Sequence, residues 1–211
     1  MSKIVITIAR QYGSGGLDIG KKIANDLGIS FYDKNLIEIA AKMSGVDKEF
    51  MEKSDEKVHF RGFFGGMGDI LFSAFGIEFT EHISNSIFKI QSDIIRSLAN
   101  NESAVFVGRC ADYILREHRH KASIFVCANM QDRINNITIR DNISPEEAFK
   151  EIEKNDKQRN KYYNYYTSIE RGNAKYYDLC INSSSLGLDE TANAIKEFAI
   201  KKLKLKKDER L

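Results

Sequence analysis

Ile4-Val5-Ile6-Thr7-Ile8-Ala9-Arg10-Gln11-Tyr12-Gly13-Ser14-Gly15-Gly16-Leu17-Asp18-Ile19-Gly20 is a β-branched apolar run that breaks into a glycine-rich turn and resumes with helical spacing. The order predicts a buried strand, then a turn whose glycines let backbone N–H groups approach a ligand with no Cβ in the way, then a helix whose positive N-terminal end points at the same place. Such a turn suits an anion, phosphate foremost. In the helix, Ile19, Ile23, Ala24 and Leu27 share one face, Lys21 and Lys22 lie on another, and Gly28 supplies a left-handed cap. The loop departs from both standard glycine fingerprints. Gly-x-x-x-x-Gly-Lys-Ser/Thr is not satisfied from Gly13, and Gly-x-Gly-x-x-Gly fails because Asp18 stands five residues after Gly13. A tight strand-to-helix turn with no ligand is the competing reading.

The 211 residues suffice for one sizeable α/β domain with a small insertion, and a core of that size needs no disulfides. A hydrophobic content of 42% and a charged fraction of 29% exclude a disordered chain, and a net charge of +2 gives no case for nucleic acid as a partner. Cys110, Cys127 and Cys180 are odd in number and lack Cys-x-x-Cys spacing, which reads as reduced thiols in a cytoplasmic protein. No apolar run approaches the roughly 18 residues of a membrane span, so no membrane partner is expected.

Further strands are predicted at Ile29 to Tyr32, Ala104 to Val107, Ser123 to Cys127 and Leu179 to Ile181, with helical patterns between them. That alternation predicts an α/β fold with a mostly parallel sheet covered on both faces and ligands at the carboxyl ends of the strands. The glycine loop, Asp33 and Gly108-Arg109 all follow strands and would meet at one edge. Lys34 to Met43 looks helical, Arg61 to Gly68 reads as a glycine- and aromatic-rich flap or Ω-loop, and Ile83, Ile87, Ile90, Ile94 and Leu98 make one stripe of a further helix. Ser144, Pro145 and Glu147 mark the start of a helix running to about Tyr166.

Tyr162, Tyr163, Tyr165 and Tyr166 are expected to pack that helix rather than stack on bases. His59, His82, His118 and His120 lack metal-site spacing, and Cys127 and Cys180 are expected to be buried. Cys110 beside Arg109 reads as a packing thiol with a reactive thiolate as the alternative. The lysine-rich end from Lys196 to Arg210 reads as an amphipathic terminal helix.

The ordered set Ala9-Arg10-Gln11-Tyr12-Gly13-Ser14-Gly15-Gly16, Phe31-Tyr32-Asp33, Val105-Phe106-Val107-Gly108-Arg109-Cys110-Ala111-Asp112-Tyr113, Asp156 to Tyr163 and Tyr177 to Ser183 resembles the cytidylate kinase-like family, over nearly the whole chain from Ile4 to about Ile195. The resemblance implies the nucleoside monophosphate kinase fold of the P-loop class. That is a five-stranded parallel sheet flanked by helices in one domain over 1–211, with a helical monophosphate-binding insert at 34–100 and a lid at 133–161. It implies transfer of the γ-phosphoryl group of ATP to CMP or dCMP with Mg²⁺. Gly13, Ser14, Gly15, Gly16, Leu17 and Asp18 would form the phosphate loop, Arg109 would grip the acceptor phosphate, and Asp33 or Asp156 would orient the acceptor. Arg133, Arg140 and Arg159 would be the lid cations, arginine offering a planar fork to phosphate oxygens.

At the loop this chain departs from the true kinases: Gly16 lies where the phosphate-binding lysine belongs and Asp18 where the Mg²⁺-binding Ser or Thr belongs. Cys110 also replaces the acidic residue often found after the Gly-Arg pair. A working kinase then needs another cation on the β- and γ-phosphates. Arg10, at the strand end, is expected to serve ahead of Lys21, one turn into the helix. A nucleotide-binding regulator that lost transfer is the alternative. A dinucleotide-dependent oxidoreductase, with Asp33 as its ribose-binding acid, is a third reading, weakened by the missing third glycine.

Overall fold

The computed structural model describes residues 3–33 and 77–203, the helical residues 77–87 as backbone only. The expected helix at Lys34 to Met43, the Arg61 to Gly68 flap and the terminal residues 204–211 lie outside the described residues. Two compact units divide the chain, residues 1–34 with 95–211, and residues 35–94. Most of the expected insert is likewise undescribed.

In chain order the elements are β1 (Val5–Arg10), α1 (Gly16–Leu27), β2 (Ser30–Tyr32), α2 (Ile77–Asn101), β3 (Ala104–Val107), α3 (Ala111–Ile114), β4 (Lys121–Cys127), α4 (Met130–Asp141), α5 (Pro145–Thr167), a 3₁₀ turn (Ala174–Tyr176), β5 (Leu179–Asn182) and α6 (Ser183–Lys202). The strands form a five-stranded sheet in the order β2-β3-β1-β4-β5, parallel at every pairing. β1 is central. Ile4, just before it, and its alternate residues Ile6 and Ile8 join Val105, Val107, Ile124 and Val126, where α1 brings Ile19, Ile23 and Ala24 and α6 brings Ala192, Ile195 and Ala199. Gly20 lets α1 come that close, since a Cβ there would lie 2.7 Å from Val107 Cγ2.

The strand order argues against the oxidoreductase reading. In the dinucleotide fold β2 is the neighbour of β1, whereas here β3 separates them and β2, with Asp33 after it, is an edge strand. Because all strands run the same way, the turns after β1, β3 and β4 and the start of α6 gather at the carboxyl edge of the sheet.

Local signals explain the element ends. Gly28 caps α1 at φ 65°, and Ile29, expected as the first residue of β2, instead donates its N–H to Ala24 O at 3.0 Å. The cap consumes it. β4 begins at Lys121 rather than Ser123, because its pairing with β1 starts at Val5–Lys121. Cys127 is half-buried and Cys180 exposed, not buried as expected, the latter lying on the edge strand β5. Tyr163 is buried, its hydroxyl donating to Asp112 Oδ2 at 2.6 Å, while Tyr165 is exposed.

A reciprocal capping box starts α5: Glu147 N donates to Ser144 Oγ at 3.2 Å and Ser144 N to Glu147 Oε2 at 2.9 Å, with Pro145 at the first helical position. Ser144→Ala is expected to lower folding stability by about 1 kcal/mol. Urea denaturation of parent and variant, compared at equal slope, measures it.

Candidate functional site

The glycine loop is held by its carbonyls. Arg10 O accepts from Arg159 Nη1 at 3.3 Å and from Arg171 Nη2, Gln11 O from Ser14 Oγ at 2.9 Å, and Tyr12 O from Arg133 Nε at 2.7 Å. Gly13 O accepts from Asn136 Nδ2 at 2.9 Å, Ser14 O from Ser183 Oγ at 2.9 Å, and Gly15 O from Ile19 N at 3.0 Å. Six consecutive carbonyl oxygens are thus engaged, while the N–H groups of Gly13 to Asp18 donate to no acceptor among the described residues. Gly13 and Gly15 adopt φ 79° and 73°, which lets the amides converge at the first turn of α1. The result is a cradle of N–H dipoles for an anion.

Close packing demands glycine here too. A Cβ on Gly13 would sit 3.0 Å from Arg133 O and 3.2 Å from Ile137 Cγ1, and one on Gly15 would be 2.3 Å from Leu188 Cδ2.

Two of the expected site residues serve the loop itself. Asp156 Oδ1 accepts from Tyr12 N at 2.9 Å, and Asp156 Oδ2 pairs with Arg133 Nη2. The Arg133 side chain is 5% exposed, and its Nε is already spent on Tyr12 O. Arg133 and Asp156, expected as a lid cation and an acceptor ligand, are joined to each other and to both backbone groups of Tyr12. They act as a brace between α4, α5 and the loop. Tyr12 packs its ring against the small core of Ile137, Ala148 and Ile152 that joins α4 to α5. Arg140 donates to the Tyr12 hydroxyl at 2.6 Å while pairing with Asp141, and the guanidiniums of Arg140 and Arg159 lie 5.0 and 5.1 Å from the Tyr12 ring centre.

Beside the loop stands a cluster of four arginines: Arg10, Arg109, Arg159 and Arg171. Burial, and then the neighbouring charges of Arg159, Arg171 and Arg109, push the Arg10 guanidinium down to about 9, with Asp33 opposing the shift. Arg159 is pushed down to about 10 by burial and then by Arg171. Burial lowers Arg109 and Arg171 also, against the raising influence of Asp33 on the first and Asp156 on the second. Several guanidiniums thus concentrate positive charge beside the loop.

After β3 the backbone turns through Gly108, Arg109 and Cys110, all left-handed at φ 83°, 58° and 55°. Two successive non-glycine residues there store strain of about 1–3 kcal/mol each, the kind found at ligand clamps. Cys110 is buried and its thiol is pushed up by burial, so the packing reading holds and the reactive thiolate does not.

Asp18 is exposed in the first turn of α1, and Lys21 is exposed further along the helix. Arg171 was not legible in the sequence. It lies after the long helix in no motif, and only the fold carries it back to Arg10 O, to Asn160 Oδ1 at 2.5 Å and over the Phe125 ring at 5.8 Å.

The cytidylate kinase-like family matches residues 5–185. The chain belongs to the cytidylate kinase-like family. Proteins named cytidylate kinase from Saccharolobus islandicus are 26% identical over 194 residues, covering 91% of this chain and 88% of theirs. The cytidylate kinase of Pyrococcus horikoshii is 28% identical over 86% of this chain and 81% of its own. Among solved structures, an uncharacterized protein from Eubacterium ventriosum matches at TM-score 0.71 and 26% identity, over 97% of this chain and all of that one. A shikimate kinase from Bacteroides thetaiotaomicron matches at TM-score 0.51 and 15% identity, over 96% of this chain and 99% of that one, which shows a shared P-loop kinase fold. No helix among the described residues of this cytidylate kinase-like chain is long and apolar enough to cross a membrane.

If Asp156 braces the loop, Asp156→Ala leaves Arg133 buried without its partner and Tyr12 N–H without an acceptor. The expected loss is about 3–5 kcal/mol of folding stability with no ligand present. Thermal unfolding of the ligand-free protein tests this; an unchanged Tm would return Asp156 to the acceptor.

Proposed function

We propose that this chain is a nucleoside monophosphate kinase-like enzyme that transfers the γ-phosphoryl group of ATP to CMP, dCMP or a related acceptor in the cytoplasm. The observation that carries the reading is the loop with every carbonyl engaged and its N–H groups converging, set beside four arginines at the carboxyl edge of a parallel sheet. Gly13 to Asp18 hold the donor phosphates by backbone amides. Arg109 grips the acceptor phosphate, with Asp33 near both Arg109 and Arg10. An acceptor phosphate oxygen attacks the γ-phosphorus in line, the bond to the β-bridging oxygen breaks, and ADP leaves with that electron pair. Arg159 spreads its charge over the equatorial oxygens while its Nη1 stays on Arg10 O.

Mg²⁺ fits this site through Asp18, a hard oxygen donor at the first turn of α1, because Mg²⁺ is ordinarily held by one or two carboxylates together with substrate phosphates. Bound there, it would neutralise charge on the donor. The regulator reading draws on the missing loop lysine alone.

ADP release from ATP with CMP, dCMP, UMP and other acceptors, with ATP binding measured in parallel, separates the two. A kinase produces ADP in an acceptor-dependent way; binding without transfer to any nucleoside monophosphate leaves the regulator. Arg109→Ala is expected to weaken acceptor binding by about 1.5–3 kcal/mol and ATP binding much less. Equal losses for both nucleotides, read by titration calorimetry, would make Arg109 a scaffold residue. Gly15→Val, which adds a branched side chain at positive φ against Leu188, should abolish ATP binding. Circular dichroism confirms that the variant is folded.

A further inference from the structure

Gly16 and Gly108 belong to different turns, yet both face one side chain. A Cβ on Gly16 would lie 2.7 Å from Arg10 Cβ and 3.0 Å from Arg10 Cγ, and a Cβ on Gly108 would lie 2.2 Å from Arg10 Nη1 and 3.0 Å from Cζ. The Arg10 side chain therefore leaves the end of β1, crosses the first residue of α1, and ends over the turn that presents Arg109. Its stem fills the space where a side chain on residue 16 would begin. Its guanidinium stands over Gly108, at the end of β3. Arg159 and Arg171 both hold the Arg10 carbonyl, which fixes the point from which the side chain departs.

We infer that Arg10 is the cation for the phosphoryl group in transit, lying between the donor held by the loop and the acceptor held by Arg109, and that Gly108 is glycine so that the guanidinium can lie there. The inference rests on the kinase reading and adds to it which reaction stage the residue serves. A guanidinium between the two nucleotides meets the equatorial oxygens as charge builds on them, and contributes less to either nucleotide in the ground state. A side chain at position 108 and the observed place of the Arg10 guanidinium exclude one another.

The test is a double-mutant cycle on steady-state kinetics of the full chain, with ATP and its best nucleoside monophosphate. Arg10→Ala is expected to lower kcat at least about 10-fold while each KM changes less than about threefold. Arg10→Lys, which restores charge on a shorter stem, should recover part of the loss. Gly108→Ala sets a Cβ 2.2 Å from Arg10 Nη1, an atom that Arg10→Ala removes, and circular dichroism checks that the variant folds at this positive-φ position. The substitution should lower kcat in the parent by displacing Arg10 and add less than about twofold to Arg10→Ala. An active parent whose Arg10→Ala variant keeps its kcat, or loses only in the KM for ATP, overturns the inference and leaves the kinase reading standing. Additive losses at positions 10 and 108 overturn the coupling between them. A parent that transfers phosphate to no acceptor overturns the kinase reading and this inference with it.

Discussion

The site depends on the direction in which the four peptide groups between Tyr12 and Gly16 face. A peptide carries a donor on one side and an acceptor on the other, so a loop that is to offer N–H groups to an anion must turn its oxygens away, and those oxygens must find donors. Between Arg10 and Gly15 each one does, through Arg171 and Arg159, Ser14, Arg133, Asn136, Ser183 and the first helical amide of α1. Most of these donors come from α4, α5, the segment after α5 and the start of α6. The glycines make the turn possible; the surrounding helices make it point one way.

That division of labour explains why so many arginines near the loop are not equivalent. Arg133 is committed to Tyr12 and Asp156, and Arg140 to Tyr12 and Asp141, whereas Arg10 and Arg109 each have Asp33 as the acidic neighbour acting on them. The first two hold α4 and α5 to the loop. Burial, and then the charges of Arg159, Arg171 and Arg109, lower the Arg10 guanidinium. An anion entering such a place gains from several guanidiniums at once and relieves their mutual repulsion. Tyr12 lies between these groups, its backbone in the brace and its ring under Arg140 and Arg159. The loop and the α4–α5 pair therefore share one residue.

Periodicity and turn chemistry carried most of the fold. The strand, the glycine turn and α1 with its Gly28 cap were legible because each is set by neighbours within a few residues, as was the Ser144-Pro145-Glu147 start of α5. The limits were local too. Ile29 looked like strand because it is β-branched, yet the helix cap claimed its N–H, and Cys180 looked buried because it lies in a strand pattern whose place at the sheet edge no pattern reveals.

The sequence by itself determined the α/β class, the glycine turn between β1 and α1 and the supply of arginine, since these follow from short-range sterics and composition. Only the tertiary structure decided what each charged residue meets. Asp156 and Arg133 became a brace, Arg171 entered the site, and Arg10 ran across Gly16 toward Gly108, because a side chain's role depends on what it meets across about 100 residues or more of chain, and a pattern read along the chain holds no such distances. The order β2-β3-β1-β4-β5 was decided there as well. It separates β2 from the glycine loop and removes Asp33 from the place a ribose-binding acid would need, since which strands become neighbours depends on long-range pairing of faces that look alike in sequence.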